Sequence, residues 1–275
     1  MTATTHTTTG PTVAAAPGSG LVTATLTVAG RTIRQFARTP QLLVVSTVQG
    51  AMFLLIFRYV FGGAIGTGGL DYVDFLVPGF LVSGILFTGG SAAAGVAEDT
   101  ETGVHDRLRS LPIPRLAIVA GRSVADAGLL TWSTGITAAL GYAVGFRTGG
   151  EALDVVLAYV LIVCFGIAFG WLFIALGLFA GSAQAAQGMS MMVFPLSFVS
   201  SAYVPVESMP GWMQGFAEHQ PITAMTNAVR ALMHGGPAAV GIDHTTTHWV
   251  VLSLLWCAAL LAVFVPLASW RSARR

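Results

Sequence analysis

The sequence predicts an all-α integral membrane protein with six transmembrane helices. Three observations carry that prediction. Only 9% of the 275 residues are charged, where an ordinary soluble domain carries about 25%. The chain is 54% hydrophobic, with a mean hydropathy of +0.75. Its apolar segments run for about 20 residues rather than as ten-residue alternating strands, which favours a helical bundle over a barrel. This composition cannot cover a water-facing surface, so it excludes a soluble enzyme, a nucleic-acid binder and a disordered chain.

Residues 1–20 are rich in Thr, Ala, Pro and Gly. They cannot pack a core and read as a disordered tail. They lack the basic and apolar regions of a secretory signal. Residues 21–39 then form an amphipathic helix. Val22, Leu26, Ala29, Ile33 and Phe36 share one face, with Arg31, Arg34 and Arg38 opposite. That pattern suits a helix lying among lipid headgroups, ended by Pro40.

The transmembrane domain occupies 40–270, and residues 271–275 form a basic tail. Its six spans are expected at about 42–61, 75–97, 124–146, 153–180, 186–206 and 248–267, each long enough for a ~30 Å hydrocarbon core. The GxxxG pairs Gly141–Gly145, Gly166–Gly170 and Gly177–Gly181 point to close helix packing. Cys164 and Cys257 both fall in apolar runs and read as small core residues.

Orientation follows from arginine. All 13 cationic side chains are Arg, and the chain has no Lys. Ten of them lie before the first span, between the second and third, or after the sixth. With six spans these segments share a side, and the positive-inside rule makes it cytoplasmic, with both termini inside. The missing Lys also matters chemically. A Walker A loop uses Lys to reach the β/γ-phosphates, and a Schiff-base enzyme uses it as nucleophile. Neither chemistry belongs to this chain, so it is not an enzyme by itself.

Two long connections carry the functional signal. The cytoplasmic one, residues 98–122, contains Glu98, Asp99, Glu101, Asp106, Arg107, Arg109, Arg115 and Arg122. Gly103 permits a sharp turn into a short helix. Val104, Leu108 and Leu111 make an apolar seam along it, and Pro112 and Pro114 stop it. Such a helix suits a groove on a soluble partner; the bland reading is a solvated loop with anchoring charges. The other connection, about 203–247, holds Trp212 and Phe216 on one short helix. After Pro221, Ile222, Met225, Val229 and Leu232 repeat at helical spacing. Both pieces are too short to span, so a re-entrant pair of half-helices on the extracellular side is expected.

These residues resemble a known family. The ordered set is RTP (38–40), RYVFGG (58–63), DYVDFLVPG (71–79), AEDTETGVHDRLRSLPIPR (97–115), GR (121–122) and VPVESMPGW…HQPIT…AVRALMHGG (204–236). It is similar to the permease subunits of type-2 ABC exporters, near the daunorubicin-resistance permeases of actinobacteria, over about residues 30–270. Thr39 stands where relatives often carry Asn.

The resemblance implies a multi-pass permease in a bacterial plasma membrane. It implies a separate ABC ATPase subunit in two copies, which carries ATP and Mg, and a second permease copy or paralogue. The coupling helix would present Glu98, Asp99, Gly103, Val104, Asp106, Arg107, Leu108, Arg109, Leu111 and Pro112. The interfacial helix would use Arg31, Arg34 and Arg38. Met189, Met192, Phe194 and Phe198 would line the substrate path, since Met beside aromatics suits varied apolar ligands. Pro210, Trp212, Phe216 and Pro221 would form the extracellular gate. The expected activity is export of amphipathic drugs or lipids. A permease for glycans or lipid-linked polysaccharide is the nearest alternative. A proton-coupled secondary transporter is the alternative of another class, which would show acids at mid-span.

Four further features have competing readings. Asp126 pairs with Arg122 one turn earlier, or serves as a proton-relay acid. Arg58 snorkels to the headgroups, or faces the path. His244 and His248 belong to a polar loop, or share a metal ion. The Met-rich fifth span fills a core, or lines the path.

Overall fold

The computed structural model describes residues 20–38, 48, 50–65, 70–109 and 114–274. Every element among them is helical. The tail before residue 20, Pro40, the start of the first span, Leu111 and Pro112 lie outside the described residues, as do the side chains of Phe36, Asp106 and Arg109.

The helices are α1 (Leu21–Arg38), α2 (Gly50–Phe61), α3 (Tyr72–Glu101), α4 (Val104–Arg109), α5 (Arg115–Val144), α6 (Ala152–Phe179), α7 (Ala183–Met191), α8 (Pro195–Phe198), α9 (Gly211–His219), α10 (Pro221–His234), α11 (Pro237–Val240) and α12 (Thr246–Arg274). Three segments are long and apolar enough to cross a membrane: Tyr72–Glu101, Ala152–Phe179 and Thr246–Ser272. Helix α5 has 30 residues, as many as α3, with a less apolar composition. The last turn of α2, Phe57–Phe61, is a π-helix.

Helix α6 is the axis of the bundle and packs against α3, α5, α10 and α12. Phe165, Phe169 and Phe173, one turn apart, are all fully buried. A helix apolar on every side belongs where neighbours or lipid cover every side. The glycine pairs act singly. A Cβ on Gly166 would run into Leu130 of α5, and one on Gly177 into the Ala93 carbonyl of α3. Their partners Gly170 and Gly181 face open space. One glycine per pair therefore sets the helix spacing, while a Cβ on the second would meet nothing among the described residues. Cys257 is buried as expected, while Cys164 lies exposed on the bundle surface.

Two elements differ from expectation, and a third makes a contact that the sequence reading did not include. First, α5 begins at Arg115, nine residues before the expected span, and α3 continues to Glu101. Charged residues at these ends extend the helices instead of ending them, because their long side chains reach the polar layer.

Second, the fifth span is not one helix. It breaks after Met191, makes one turn at Pro195–Phe198, and continues through irregular backbone to the 3-10 turn at Val206–Ser208. Pro195 has no N–H for the helix ladder, and Ser197, Ser200 and Ser201 favour local bonds to backbone over continued helix. Ser197 and Ser200 make such bonds, to the Phe194 and Ser197 carbonyls, whereas the Ser201 hydroxyl donates across to the Asn227 side chain.

Third, α1 docks on α5 with Ala24, Val28 and Thr32 buried. Gly121 of α5 sits against Val28, where a Cβ would come within 2.6 Å. Small facing residues let the two helices approach closely, so this face wins the contact. Val22, Leu26 and Ile33, the larger apolar stripe, remain exposed.

Candidate coupling site and transport face

A chain of charged side chains crosses the arginine-rich end of the bundle and joins α1, α3 and α5. Arg122 of α5 is the hub. Its Nε donates to both Asp126 carboxylate oxygens at 3.1 Å. Its Nη1 lies 3.5 Å from Asp99 of α3, and its Nη2 lies 3.4 Å from the Ala92 carbonyl. The other Asp99 oxygen faces Arg31 of α1 at 3.4 Å. Three helices that are far apart in sequence are thus tied through one carboxylate. Arg122 and Asp126 are the i, i+4 pair expected, and the guanidinium holds both oxygens of the acid.

The short helix α4 closes the same region. Gly103 takes φ +69°, the left-handed turn that lets the chain leave α3 and re-enter helix at Val104. Val104 and Leu108 are half-buried, while Glu98 and Arg107 are exposed. Leu108 lines a cleft with Val28, Val96 and Leu178, rimmed by Arg31 and Asp99. The apolar seam of α4 therefore faces its own chain in part, and Arg107 is exposed on the same helix. Arg34 bonds back to the Gly30 carbonyl, and Arg38 is exposed. Glu101 accepts from the Ala183 N–H at the start of α7, joining the ends of α3 and α7.

On the flank of the bundle, aromatic rings form a seam across α2, α3 and the broken fifth span. Phe194 meets Phe87 edge-on at 4.6 Å and Phe198 at 5.4 Å. Phe198 continues to Tyr203 at 5.3 Å, and Tyr203 stacks on Phe57 at 5.0 Å. Met189 packs inward against this core, and Met192 is 80% exposed beside it. Gln184, Gln187 and Met191 share the exposed side of α7. The predicted path residues are thus brought together as an open face, apolar in the middle and amide-bearing at one end.

The expected gate residues do not meet. Trp212 and Phe216 project from α9 with 83% and 55% of their surface free, and Pro210 is exposed. Pro221 is buried as the first residue of α10. His244 and His248 stack face to face at 4.4 Å, so their in-plane nitrogens lie side by side and do not aim at one point. Among the described residues no group of three or more His, Cys, Asp or Glu side chains is placed to hold a metal ion.

One residue had no role assigned from the sequence. Arg230 is fully buried in α10, held by the Phe75 and Ser201 carbonyls. An arginine spaced within an apolar helical repeat was the available signal.

Comparison with known proteins decides the family. The model of the ABC-2 type transporter family matches residues 23–234. The chain belongs to the ABC-2 type transporter family. Among curated relatives it is 36% identical to the daunorubicin resistance ABC transporter permease protein DrrB1 of Streptomyces coeruleorubidus, covering 90% of this chain and 84% of that protein. It is 25% identical to the probable doxorubicin resistance ABC transporter permease protein DrrC of Mycobacterium tuberculosis, covering 90% and 87%. It is 26% identical to the probable multidrug ABC transporter permease YbhR of Escherichia coli over 59% of this chain and 44% of that protein. This ABC-2 chain is therefore a membrane-embedded permease of an ABC transporter, and the motifs quoted from 38 to 234 lie within the matched region.

Proposed function

We propose that this chain is the path-forming subunit of an ATP-driven exporter of amphipathic drugs or lipids, powered by two copies of a separate ATPase. The observation that carries the reading is the match along nine-tenths of the chain to a permease named for daunorubicin resistance. The absence of Lys supports the division of labour, because phosphate chemistry of the Walker type must then come from another chain. ATP and Mg belong to that partner.

The arrangement suits six spans in a bacterial plasma membrane. The second to fourth and the sixth correspond to α3, α5, α6 and α12, the first includes α2, and the fifth is the broken α7–α8 segment. The arginine-rich end faces the cytoplasm under the positive-inside rule. Helix α1 lies in the headgroup layer, its exposed Val22, Leu26 and Ile33 in lipid. Helix α4 is the coupling helix, and its Arg107 with Glu98 at the end of α3 are the exposed charges for the ATPase. The family likeness extends the ATPase-contacting set to Asp106, Arg109, Leu111 and Pro112, whose side chains lie outside what the structure describes. A push on α4 reaches α1 and α5 through Leu108, Asp99 and Arg122.

The path lies between two permease copies. The two cavities beside α3, one at Leu108 and one at Asp126, hold about 30 and 20 Å³. That is room for a water or two, where a drug-sized ligand occupies about 300–1,000 Å³. The aromatic and Met face is open, and a second copy set against it would enclose a path of the required size. Asp126 is committed to Arg122, which disfavours a proton relay. Trp212 and Phe216 then belong to the extracellular gate formed by both copies.

Co-expression with a candidate P-loop ATPase from the same organism tests this reading. The pair should co-purify and drive ATP-dependent daunorubicin uptake into inside-out vesicles. Leu108→Asp should insert normally and cut that uptake about tenfold, the effect of some 1.4 kcal/mol on the coupled step. Purification without any ATPase would defeat the proposal. A cysteine at position 215 should label from outside the cell; labelling from the cytoplasm alone would invert the topology.

A further inference from the structure

Helix α10 carries a polar stripe: Gln220 at its cap, then Thr223, Asn227, Arg230 and His234. The spacing of three, four, three and four places them on one face of a helix. All five are buried. Buried polar side chains of this kind need partners, and these find theirs at two places where helix backbone is interrupted.

The first place is the start of α3. Pro78 has no N–H, so the Asp74 carbonyl four residues earlier lacks its helix donor. The His234 Nε2 sits 3.0 Å from that oxygen and donates to it in the Nε2–H tautomer. Next to it, Arg230 gives Nε and Nη2 to the Phe75 carbonyl at 3.2 and 2.9 Å, and its Cζ lies 3.8 Å above the Phe75 ring. The second place is the broken fifth span. Arg230 Nη2 also donates to the Ser201 carbonyl at 2.9 Å. Asn227 accepts from the Ser201 hydroxyl at 2.9 Å, and Thr223 accepts from the Ser201 N–H at 3.1 Å. Gln220 donates to the Leu196 and Val199 carbonyls. The two places also touch directly. Gly79 sits against the Ala202 carbonyl so closely that no Cβ fits, and Tyr72 donates to the Tyr203 carbonyl at 3.3 Å.

We propose that this stripe is a clasp and Arg230 its central positioning residue, joining the start of α3 and residues 196–203 to α10 as one moving unit. The groups held are mostly backbone carbonyls, which stay in place only while the two segments keep their mutual position. Arg230 suits the task because its planar fork reaches carbonyls on two segments at once, which an ammonium does not. The consequence for transport rests on the exporter reading above: the extracellular end of the path opens by displacement of this unit and not by separation of α3 from the fifth span.

Hydrogen exchange on the full-length protein in lipid nanodiscs tests the clasp without reference to transport. Arg230→Gln should raise exchange of residues 72–79 and 198–203 together, by about tenfold or more, the loss of one charge-assisted hydrogen bond. Arg230→Lys keeps the charge without the fork and should raise at least one of the two. Gly79→Ala forces the same joint from its other side and should loosen the same pair of segments. It serves equally if the glutamine variant does not fold. Unchanged exchange in both segments would overturn the clasp, and so would an equal rise throughout α6, which would make Arg230 a general stabiliser. In vesicles carrying the ATPase, Arg230→Gln should lose about tenfold of daunorubicin transport while ATP hydrolysis persists. Normal transport by a loosened variant would overturn the gating role. Absence of transport by the parent would instead sink the exporter reading and leave the clasp standing.

Discussion

The two ends of the bundle hold their helices together by opposite means. At the arginine-rich end, carboxylates and guanidinium groups link α1, α3 and α5 through Asp99 and Arg122. The Arg31 and Asp99 side chains keep 39% and 26% of their surface exposed. At the α10 end, Arg230 is wholly enclosed, and the hydrogen bonds described for it run to carbonyl and amide oxygens, with no carboxylate among them. Exposed ion pairs exchange partners at little cost, since each is worth about 0–1 kcal/mol. A buried cation held by backbone dipoles has nowhere else to go. The first construction suits an end that a partner must push and re-form. The second suits an end that must keep its shape while it moves.

The sharpest way to break this contrast is Arg230→Met. The apolar chain removes the charge and leaves the Ser201 carbonyl without its donor, at a cost of about 1–3 kcal/mol for each stranded group. Together with the lost ring contact, the expected destabilisation is about 3 kcal/mol, in the upper range for a point change. A thermal unfolding midpoint in detergent checks it. A fall no larger than that of an exposed arginine, such as Arg38→Met, would erase the distinction between the two ends.

Why the first end was legible in the sequence and the second was not follows from where each puts its polar groups. Apolar runs located α3, α6 and α12 because lipid imposes both length and composition on a spanning helix. The Arg122–Asp126 pair and the turn at Gly103 were legible because both depend on neighbours within a few residues. The segment from Gln220 to His234 was read as a re-entrant half-helix from its apolar spacing, and its polar stripe was missed, because the partners of that stripe lie at Asp74, Phe75 and 196–201, remote in sequence. Its three-four spacing was visible, but burial of the whole helix is a tertiary property. Pro195 was equally visible, yet the Met and Phe around it extended the apolar run across the break. In α1 the larger stripe was assigned to the lipid headgroup layer and stays exposed; the docking of the small face of Ala24, Val28 and Thr32 was not legible, because close approach to Gly121 depends on a helix remote in sequence. Leu108 was taken for an outward contact and lines a cleft of its own chain.

Asp99→Asn probes the other end and should do less to the fold. It removes the charge shared by Arg31 and Arg122; the Arg31 pair is partly screened by solvent, and Arg122, only 11% exposed, keeps Asp126 as its partner. The expected loss is about 1 kcal/mol. Raising salt should shrink the difference between variant and parent, because exposed pairs are screened over a Debye length of about 10 Å at 0.1 M. Transport should fall by more than stability if the proposed coupling route from α4 runs through this carboxylate, which ties α1 and α5 to α3. A variant as unstable as Arg230→Met would show that the arginine-rich end is as rigid as the other.

The smallest effect belongs to Trp212. It extends from α9 with most of its surface free, and α9 itself is held by Gln214, which donates to the Glu207 and Met209 carbonyls at 3.3 and 2.9 Å. Trp212→Ala removes a side chain that the rest of the chain scarcely touches, so the change in stability should stay within about 0.5 kcal/mol. That corresponds to a midpoint shift of about 2 °C or less for a chain of this size. A larger fall in the isolated chain would mean that α9 packs against the bundle and belongs with the rigid unit around Arg230. An unchanged midpoint with impaired daunorubicin transport would place the function of Trp212 outside its own chain, at the second copy or the lipid surface. The end built around a fixed cation would then carry its moving contact on a helix that the cation does not hold.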